Sequence, residues 1–191
     1  MTGQAFTRLC SRRDVGQKVS QRVFRTSTRL ALLLAILLPL TPAVAGDTAG
    51  GLPLPRFVSL KAARVNLRLG PGNDYQVAWI YTKPGLPVEI LQEFDTWRRI
   101  RDADGTVGWV AVSLLAGKRT ALVAPWEKAG TTVPARSKPS KDAAVSAYLQ
   151  PGVQTAIKTC RDGWCRLSDT RFDGWIEEER LWGVYPDEKV D

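Results

Sequence analysis

Two cysteines separated by four residues are the first candidates for chemistry. Cys160 and Cys165 bracket the sequence Arg-Asp-Gly-Trp, in which Asp-Gly is typical of the turn between two short strands. A hairpin of this length places the two β-carbons opposite each other, at a distance that a disulfide bond spans. In an oxidising compartment we expect a structural disulfide, which stabilises the fold by about 2 kcal/mol in the loop-entropy model.

The competing interpretations of this pair are a redox couple and a metal site. Redox couples usually have two residues between the cysteines and lie at the start of a helix. Zinc needs further ligands, and the chain contains no histidine. The sequence therefore favours the disulfide, and we predict neither a metal nor a cofactor.

Hydrolytic chemistry has few residues with which to work. The chain has no histidine, no glycine-rich loop of the phosphate-binding type and no evident pair of nucleophile and base. Glu177, Glu178 and Glu179 are consecutive, and neighbouring side chains on a strand point in different directions. We interpret them as an exposed acidic rim rather than as catalytic carboxylates or a calcium site. We predict that the protein is not an enzyme.

Three aromatic residues offer a binding surface instead. Trp79 and Tyr81 alternate on one predicted strand, so their side chains should face the same side, and Tyr75 lies in the preceding loop. Aromatic faces stack on sugars or pack on peptide backbones. Tyr75, Trp79 and Tyr81 are therefore the candidate ligand-binding residues.

Four other tryptophans recur at a nearly constant interval. The distance from Trp97 to Trp164 is 67 residues, and the distance from Trp109 to Trp175 is 66. Such constancy indicates two copies of one folded unit. We interpret these four residues as structural, in the core or at the barrel ends.

The same interval relates the cysteine pair to two charged residues. Shifting Cys160 and Cys165 back by 67 residues gives Glu93 and Arg98. We expect these two side chains to form a cross-strand ion pair, worth only a few tenths of a kcal/mol.

The elements that position these residues are predicted to be short strands. The signals are β-branched and aromatic residues bounded by Gly, Pro, Asn or Asp. The predicted strands are 64–69, 76–81, 86–94, 97–101 and 106–110 in the first copy, and 143–149, 153–158, 165–168 and 174–177 in the second. With no amphipathic helix among them, they indicate an all-β fold of two tandem, small, five-stranded β-barrels.

The first 45 residues are typical of an export signal. They contain seven basic residues, an apolar run at 30–40, and small side chains at Ala43 and Ala45. The run is shorter than the ~20 residues that span a bilayer, so we predict cleavage after Ala45, with an uncleaved anchor as the alternative. Cleavage would reduce the net charge of the chain from +8 to about +2, which argues against nucleic-acid binding.

A family resemblance rests on several of these motifs. Val65-Asn66-Leu67-Arg68, the turn Gly70-Pro71-Gly72, Trp97 and Gly108-Trp109-Val110 together resemble the bacterial SH3-like (SH3b) domain. The first copy is also similar to exported SH3-like proteins of Gram-negative bacteria. The second copy resembles the domain less closely, since 135–139 replaces the opening motif and turn.

The predicted organisation follows from the repeat and the resemblance. It comprises a signal peptide (1–45), a lead-in segment (46–57), a first barrel (58–118), a connector (119–130), a second barrel (131–185) and a tail (186–191). Because the connector is short, we expect packed or closely tethered barrels.

The resemblance implies a binding module of the cell envelope. We expect an exported, periplasmic or secreted protein that binds peptidoglycan or its stem peptides. The alternative is a periplasmic adaptor or scaffold that binds another envelope protein. We predict no nucleic-acid partner and, after signal cleavage, no stable membrane span.

Overall fold

The computed structural model describes residues 51–191. The predicted signal peptide, its cleavage site and residues 46–50 of the lead-in segment lie outside the described residues. Within 51–191, no helix combines the length and the hydropathy that a membrane crossing requires. The described chain forms two antiparallel sheets, with short 3₁₀ turns at Val112–Leu114 and Glu178–Arg180.

The first sheet has seven strands in the order β3-β2-β6-β5-β4-β1-β7. Strands β2 to β6 correspond to the five strands predicted for the first copy, and β1 and β7 are additional. Strand β7 has only two residues, too few to show a periodic pattern. The strands are β1 (Arg56–Leu60), β2 (Val65–Arg68), β3 (Val77–Tyr81), β4 (Pro87–Phe94), β5 (Trp97–Arg101), β6 (Val107–Ala111) and β7 (Leu115–Ala116).

The second sheet repeats this topology strand for strand, in the order β10-β9-β13-β12-β11-β8-β14. The predicted duplication of an all-β unit is therefore confirmed, with seven strands in each sheet rather than five. The strands are β8 (Thr120–Val123), β9 (Val133–Arg136), β10 (Val145–Leu149), β11 (Gln154–Arg161), β12 (Trp164–Ser168), β13 (Asp173–Glu177) and β14 (Leu181–Trp182).

Two predicted boundaries differ from the observed elements. Strand β8 lies inside the predicted connector, 119–130, and pairs with β11 and β14. The predicted tail is also integrated, because the N–H of Cys160 donates to the carbonyl of Val190 at 2.8 Å. Strand β8 belongs to the second sheet and the tail forms an isolated bridge with Cys160, and both pairings join residues that are distant in sequence.

Each sheet encloses its own apolar core. Leu67, Ile90 and Ile100 are among the fully buried residues of the first core, and Leu167 and Ile176 are among those of the second. Strand burial alternates, as in β2 and β9, which is the pattern of a sheet with one face on the core.

The Gly-Trp motif has a packing reason in both copies. A Cβ on Gly108 would lie 2.6 Å from Cγ of Leu67, and a Cβ on Gly174 would lie 2.9 Å from that of Ala135. Glycine is therefore required where β6 lies beside β2 and where β13 lies beside β9.

The following tryptophan is held in the same register in each copy. Trp109 is paired with Arg68 and Arg99, whereas Trp175 is paired with Arg136 and Arg166. Trp97 and Trp164 occupy the equivalent first positions of β5 and β12. Trp175 is buried, and the other three are partly exposed. A structural role for the four tryptophans stays a prediction.

The two sheets pack against each other within one compact unit. The indole N–H of Trp182 donates to the carbonyl of Pro87 at 3.1 Å. The ring of Phe57 lies 5.1 Å from that of Trp182 and 4.8 Å from that of Tyr185. Packing between the copies was expected from the short connector, and aromatic rings supply much of it.

Candidate functional site

The cysteine hairpin has the geometry that its sequence predicts. Cys160 on β11 is paired with Cys165 on β12, their α-carbons are 4.1 Å apart, and their sulfurs form a disulfide. Asp162 and Gly163 connect the strands with φ of 53° and 78°, as the right-handed twist of a two-residue hairpin requires. Both cysteines are buried, so the bond is inaccessible to thiol reagents in the folded state.

The equivalent hairpin of the first copy carries the predicted ion pair. Glu93 is paired with Arg98, and Oε1 of Glu93 lies 3.1 Å from Nε of Arg98. Arg56 on β1 also donates a hydrogen bond to Glu93. Glu93 and Arg98 are almost fully buried, so the value expected for an exposed pair does not apply.

The interpretation of the three glutamates as an exposed rim is wrong for Glu178. Its side chain is only 6% exposed, and its Oε2 accepts a hydrogen bond from the N–H of Asp187 at 2.8 Å. Burial, foremost, raises the pKa of Glu178. The sequence pattern could not predict this burial, because it arises where residues 184–190 fold back over the hairpin of Cys160 and Cys165.

Glu178 also lies beside the disulfide. One of its carboxylate oxygens and the two sulfurs lie within 4.8 Å of one another. Because both sulfurs are bonded to each other, they are not available as the thiolates that a metal would need. That the protein holds no metal stays a prediction.

Two of the three predicted aromatic residues share a cavity of about 340 Å³. We call it the aromatic pocket; the residues that define it are Trp79, Tyr81, Leu86, Asp102, Asp104 and Leu122. Trp79 is opposite Leu67 and Tyr81 is opposite Val65, so both side chains lie on the same side of β3, as predicted. Trp79 is 58% exposed and lies on β3, the edge strand of its sheet.

Tyr81 forms the buried wall of the aromatic pocket. Its hydroxyl donates to Oδ2 of Asp102 at 2.9 Å. The other carboxylate oxygen of Asp102 accepts hydrogen bonds from the N–H groups of Asp104 and Thr106. Burial and, next, the bond to Asp102 raise the pKa of Tyr81, which keeps its hydroxyl protonated. The hydroxyl is thus committed to Asp102, and the residue as a whole is only 6% exposed.

Tyr75 lies outside the aromatic pocket. Its ring covers the turn at 70–72, where a Cβ on Gly70 would lie 2.3 Å from the ring. Its carbonyl accepts a hydrogen bond from Arg68 at 2.7 Å. The structure therefore brings Trp79 and Tyr81 together and separates Tyr75, whose role in ligand binding stays a prediction.

Comparison with protein families identifies the repeated unit. The family model described as bacterial SH3 domain matches residues 61–117 and again residues 129–183. The chain belongs to the bacterial SH3 domain family. The resemblance drawn from the Asn-Leu-Arg and Gly-Trp motifs is therefore confirmed, for both copies. SH3 domains of this family can bind cell-wall material.

Two solved structures of larger proteins are distantly similar to this chain. The structure of NlpC2 from Trichomonas vaginalis is 16% identical, with a TM-score of 0.31, over 67% of this chain and 48% of that one. The structure of NlpC1 from the same organism is 15% identical, with a TM-score of 0.31, over 74% of this chain and 50% of that one. The chain thus spans about half the length of these structures. No curated protein matches the chain.

The aromatic pair distinguishes the first SH3 domain from the second. In the first domain, Tyr81 is opposite Val65. At the equivalent position of the second domain, Leu149 is opposite Val133. Trp79 is likewise replaced by Ala147, which is opposite Ala135. Since both domains fold without sharing these aromatics, the fold does not require them.

Sequence reasoning missed the polar side of the pocket. In the sequence, Asp102 and Asp104 are acidic residues that offset the basic stretch before them, and Lys83 precedes a proline, so neither pattern marks a pocket. Leu122 comes from the second SH3 domain, so no local signal connects it with Trp79. The pocket therefore depends on the packing of the two domains.

Proposed function

We propose that the protein is an exported, non-enzymatic wall-binding protein whose first SH3 domain binds peptidoglycan or its stem peptides through the aromatic pocket. The observation that supports this most is an exposed Trp79 beside a cavity of about 340 Å³ with a polar rim. Concave sites of this size with few polar groups are typical of ligand binding.

The pocket has a chemistry suited to glycan and peptide. The face of Trp79 stacks on a sugar ring or a peptide backbone. Asp104 and Lys83 are exposed at the rim, where they pair with amino and carboxylate groups of a stem peptide. The ring of Tyr81, held by Asp102, provides a rigid wall.

Export and the absence of catalysis are part of the same proposal. The chain contains no histidine, and a buried disulfide suits an oxidising compartment outside the cytoplasm. Residues 1–45 would provide the export signal.

A second candidate function is an adaptor for another envelope protein. It is favoured by the free edge of β3, where the exposed side chains include Trp79 and Ile80. An extended segment of a partner pairs with such an edge through main-chain hydrogen bonds.

The test is co-sedimentation of the protein, expressed from its full-length sequence, with protein-free peptidoglycan sacculi at low and moderate salt. We expect salt-resistant binding that Trp79→Ala abolishes. Tyr148→Ala is the matched control, because Tyr148 is an exposed aromatic on β10, the equivalent edge strand. Equal sedimentation of both variants would contradict a role for the pocket. Failure to sediment, together with an in vivo cross-link that Trp79→Ala removes, would favour the adaptor.

A further inference from the structure

The free edge of β3 leaves a core-facing aromatic residue uncovered. Trp79 is opposite Leu67, whose side chain lies in the core of the first domain. Directly opposite side chains share one face of a sheet, so Trp79 also points to the core side. Leu67 is fully buried, whereas Trp79 is 58% exposed. The apolar face of this sheet thus extends to its last strand without being covered there.

The equivalent edge of the second domain is closed. β10 also ends its sheet, and Ala147 takes the place of Trp79, opposite Ala135. Ala147 is partly buried and packs against the second core. Of the edges formed by β3 and β10, the β3 edge is therefore the one that exposes a large apolar side chain on its core side.

The β3 edge carries few of the features that prevent an edge strand from pairing with another chain. One such feature is present, a bulge at Ala78, but β10 has the equivalent bulge at Ser146, so the bulge belongs to the repeated unit. Val77–Tyr81 contains no charged residue and no proline, and Ala78, Trp79 and Ile80 are exposed. An apolar edge with unpaired main-chain groups is a template for a further strand.

Opposite charges flank this strand. Asp74 precedes it by three residues, Lys83 follows it by two, and both are exposed. Among residues 51–191, neither side chain forms an ion pair. In antiparallel pairing with a second β3, Asp74 of each copy lies at the end of the strand where Lys83 of the other copy lies. Parallel pairing would instead bring like charges together.

We propose that two copies of this protein pair through their β3 edges in the antiparallel direction. Both copies offer the same edge, so the contact is isologous and closes at a dimer. New main-chain hydrogen bonds satisfy the edge, and each Trp79 is covered by the other copy. Asp104 borders the aromatic pocket together with Lys83, so the flanking charges set the direction of pairing, and burial of Trp79 supplies the affinity.

The first experiment is analytical ultracentrifugation of the protein, expressed from its full-length sequence, over a range of concentrations. We expect a reversible equilibrium between monomer and dimer. Ile80→Lys places a charge on the edge and should weaken dimerisation by about tenfold or more. Tyr148→Lys is the matched control, because Tyr148 is exposed at the equivalent position of β10, and it should leave the dimer intact.

Three outcomes of this experiment would overturn the proposal. The first is a monomer at every concentration. The second is an equal loss of dimer in Ile80→Lys and Tyr148→Lys, which would show a general effect of added charge. The third is a series of species larger than a dimer that Tyr148→Lys abolishes, which would show pairing of β3 with β10 of the next copy.

A charge exchange tests the direction of pairing. Asp74→Lys and Lys83→Asp should each weaken the dimer by roughly threefold or more, because each turns two attractions into repulsions. The double variant Asp74→Lys/Lys83→Asp should restore the parental dimerisation constant. Unchanged dimerisation in both single variants, or a double variant that is no better than they are, would overturn the antiparallel arrangement.

The dimer does not rest on the proposed function, and soluble muropeptides distinguish the failure of one from that of the other. Because the dimer covers Trp79, a ligand of the aromatic pocket should dissociate it. A dimer that persists at saturating muropeptide supports the pairing and contradicts wall binding at Trp79. A monomer that sediments with sacculi overturns the dimer and leaves the proposed function in place. A monomer that cross-links through β3 to another envelope protein overturns the dimer and favours the adaptor.

Discussion

The hydroxyl of Tyr185 donates a hydrogen bond of 2.7 Å to Oε1 of Glu89. Tyr185 follows β14 of the second SH3 domain, and Glu89 is a buried residue of β4 in the first. Arg101 pairs with the other oxygen of Glu89 and lies 5.7 Å from the ring centre of Trp182. This contact links the two domains, because one oxygen of the buried carboxylate accepts its hydrogen bond from the second domain.

Tyr185→Phe should destabilise the protein by about 1–3 kcal/mol, because it leaves a buried carboxylate oxygen with one donor fewer. Chemical unfolding monitored by tryptophan fluorescence measures this change. Tyr148→Phe is the control, since Tyr148 is exposed, and it should leave the free energy of unfolding within about 0.5 kcal/mol of the parent. An equal effect of the two substitutions would contradict a role for the Glu89 contact.

Alkaline pH should destabilise the fold through two tyrosines. Burial, with the bonds to Asp102 and Glu89 respectively, raises the pKa values of Tyr81 and Tyr185 above the ordinary value of 10.0. The folded state therefore holds these protons more tightly than the unfolded state, and stability falls as pH rises above about 10.

The measurement is the free energy of unfolding between pH 8 and pH 11. The double variant Tyr81→Phe/Tyr185→Phe should show a smaller decline over this range than the parent protein. Tyr75→Phe/Tyr148→Phe, which removes two exposed tyrosines, should keep the decline of the parent. If Tyr81→Phe/Tyr185→Phe lost as much stability over this pH range as the parent protein, these two tyrosines would not be the source of the decline.

Removal of the disulfide should cost about 2 kcal/mol, the loop-entropy value for so short a loop. The variant Cys160→Ala/Cys165→Ala tests this in chemical unfolding. Reductant should bring the parent protein towards the stability of the variant once unfolding exposes the bond, while leaving the variant itself unchanged. If the parent protein kept its stability in reductant even after unfolding had exposed the bond, the disulfide would not stabilise the fold through loop entropy.

Glu93→Ala should cost about 3–5 kcal/mol, because it leaves the buried charge of Arg98 without its partner. Glu93→Gln should cost less, since the amide oxygen still accepts a hydrogen bond from Arg56 or Arg98. Thermal unfolding of the two variants compares them. A cost of only a few tenths of a kcal/mol for Glu93→Ala would restore the estimate made for an exposed pair.

Local signals were sufficient for several features of this fold. The Asp-Gly turn between Cys160 and Cys165 predicts a hairpin because its backbone angles depend on those two residues. The strands β2 to β6 carry their own turn residues and alternation, so they were predicted close to their observed positions. The interval between the tryptophans predicted the duplication before any fold was known.

Other features depended on long-range pairing. Strands β7 and β14 have two residues each, and β8 was assigned to the connector, because their partners are distant in sequence. Tyr75 and Tyr81 look alike in the sequence, yet one covers a glycine turn and the other is buried against Asp102. Their difference arises from the contacts of each ring rather than from spacing.

The sequence by itself determined the duplicated SH3 unit, the disulfide hairpin and the aromatic character of the first copy. These follow from turn chemistry and strand alternation, which act over a few residues, and from the constant interval of 66 to 67 residues between the tryptophans. Only the tertiary structure decided that Glu178 is buried and that Leu122 completes the aromatic pocket. Those arrangements arise because the domains pack through apolar and aromatic surfaces, which brings together residues that share no local signal.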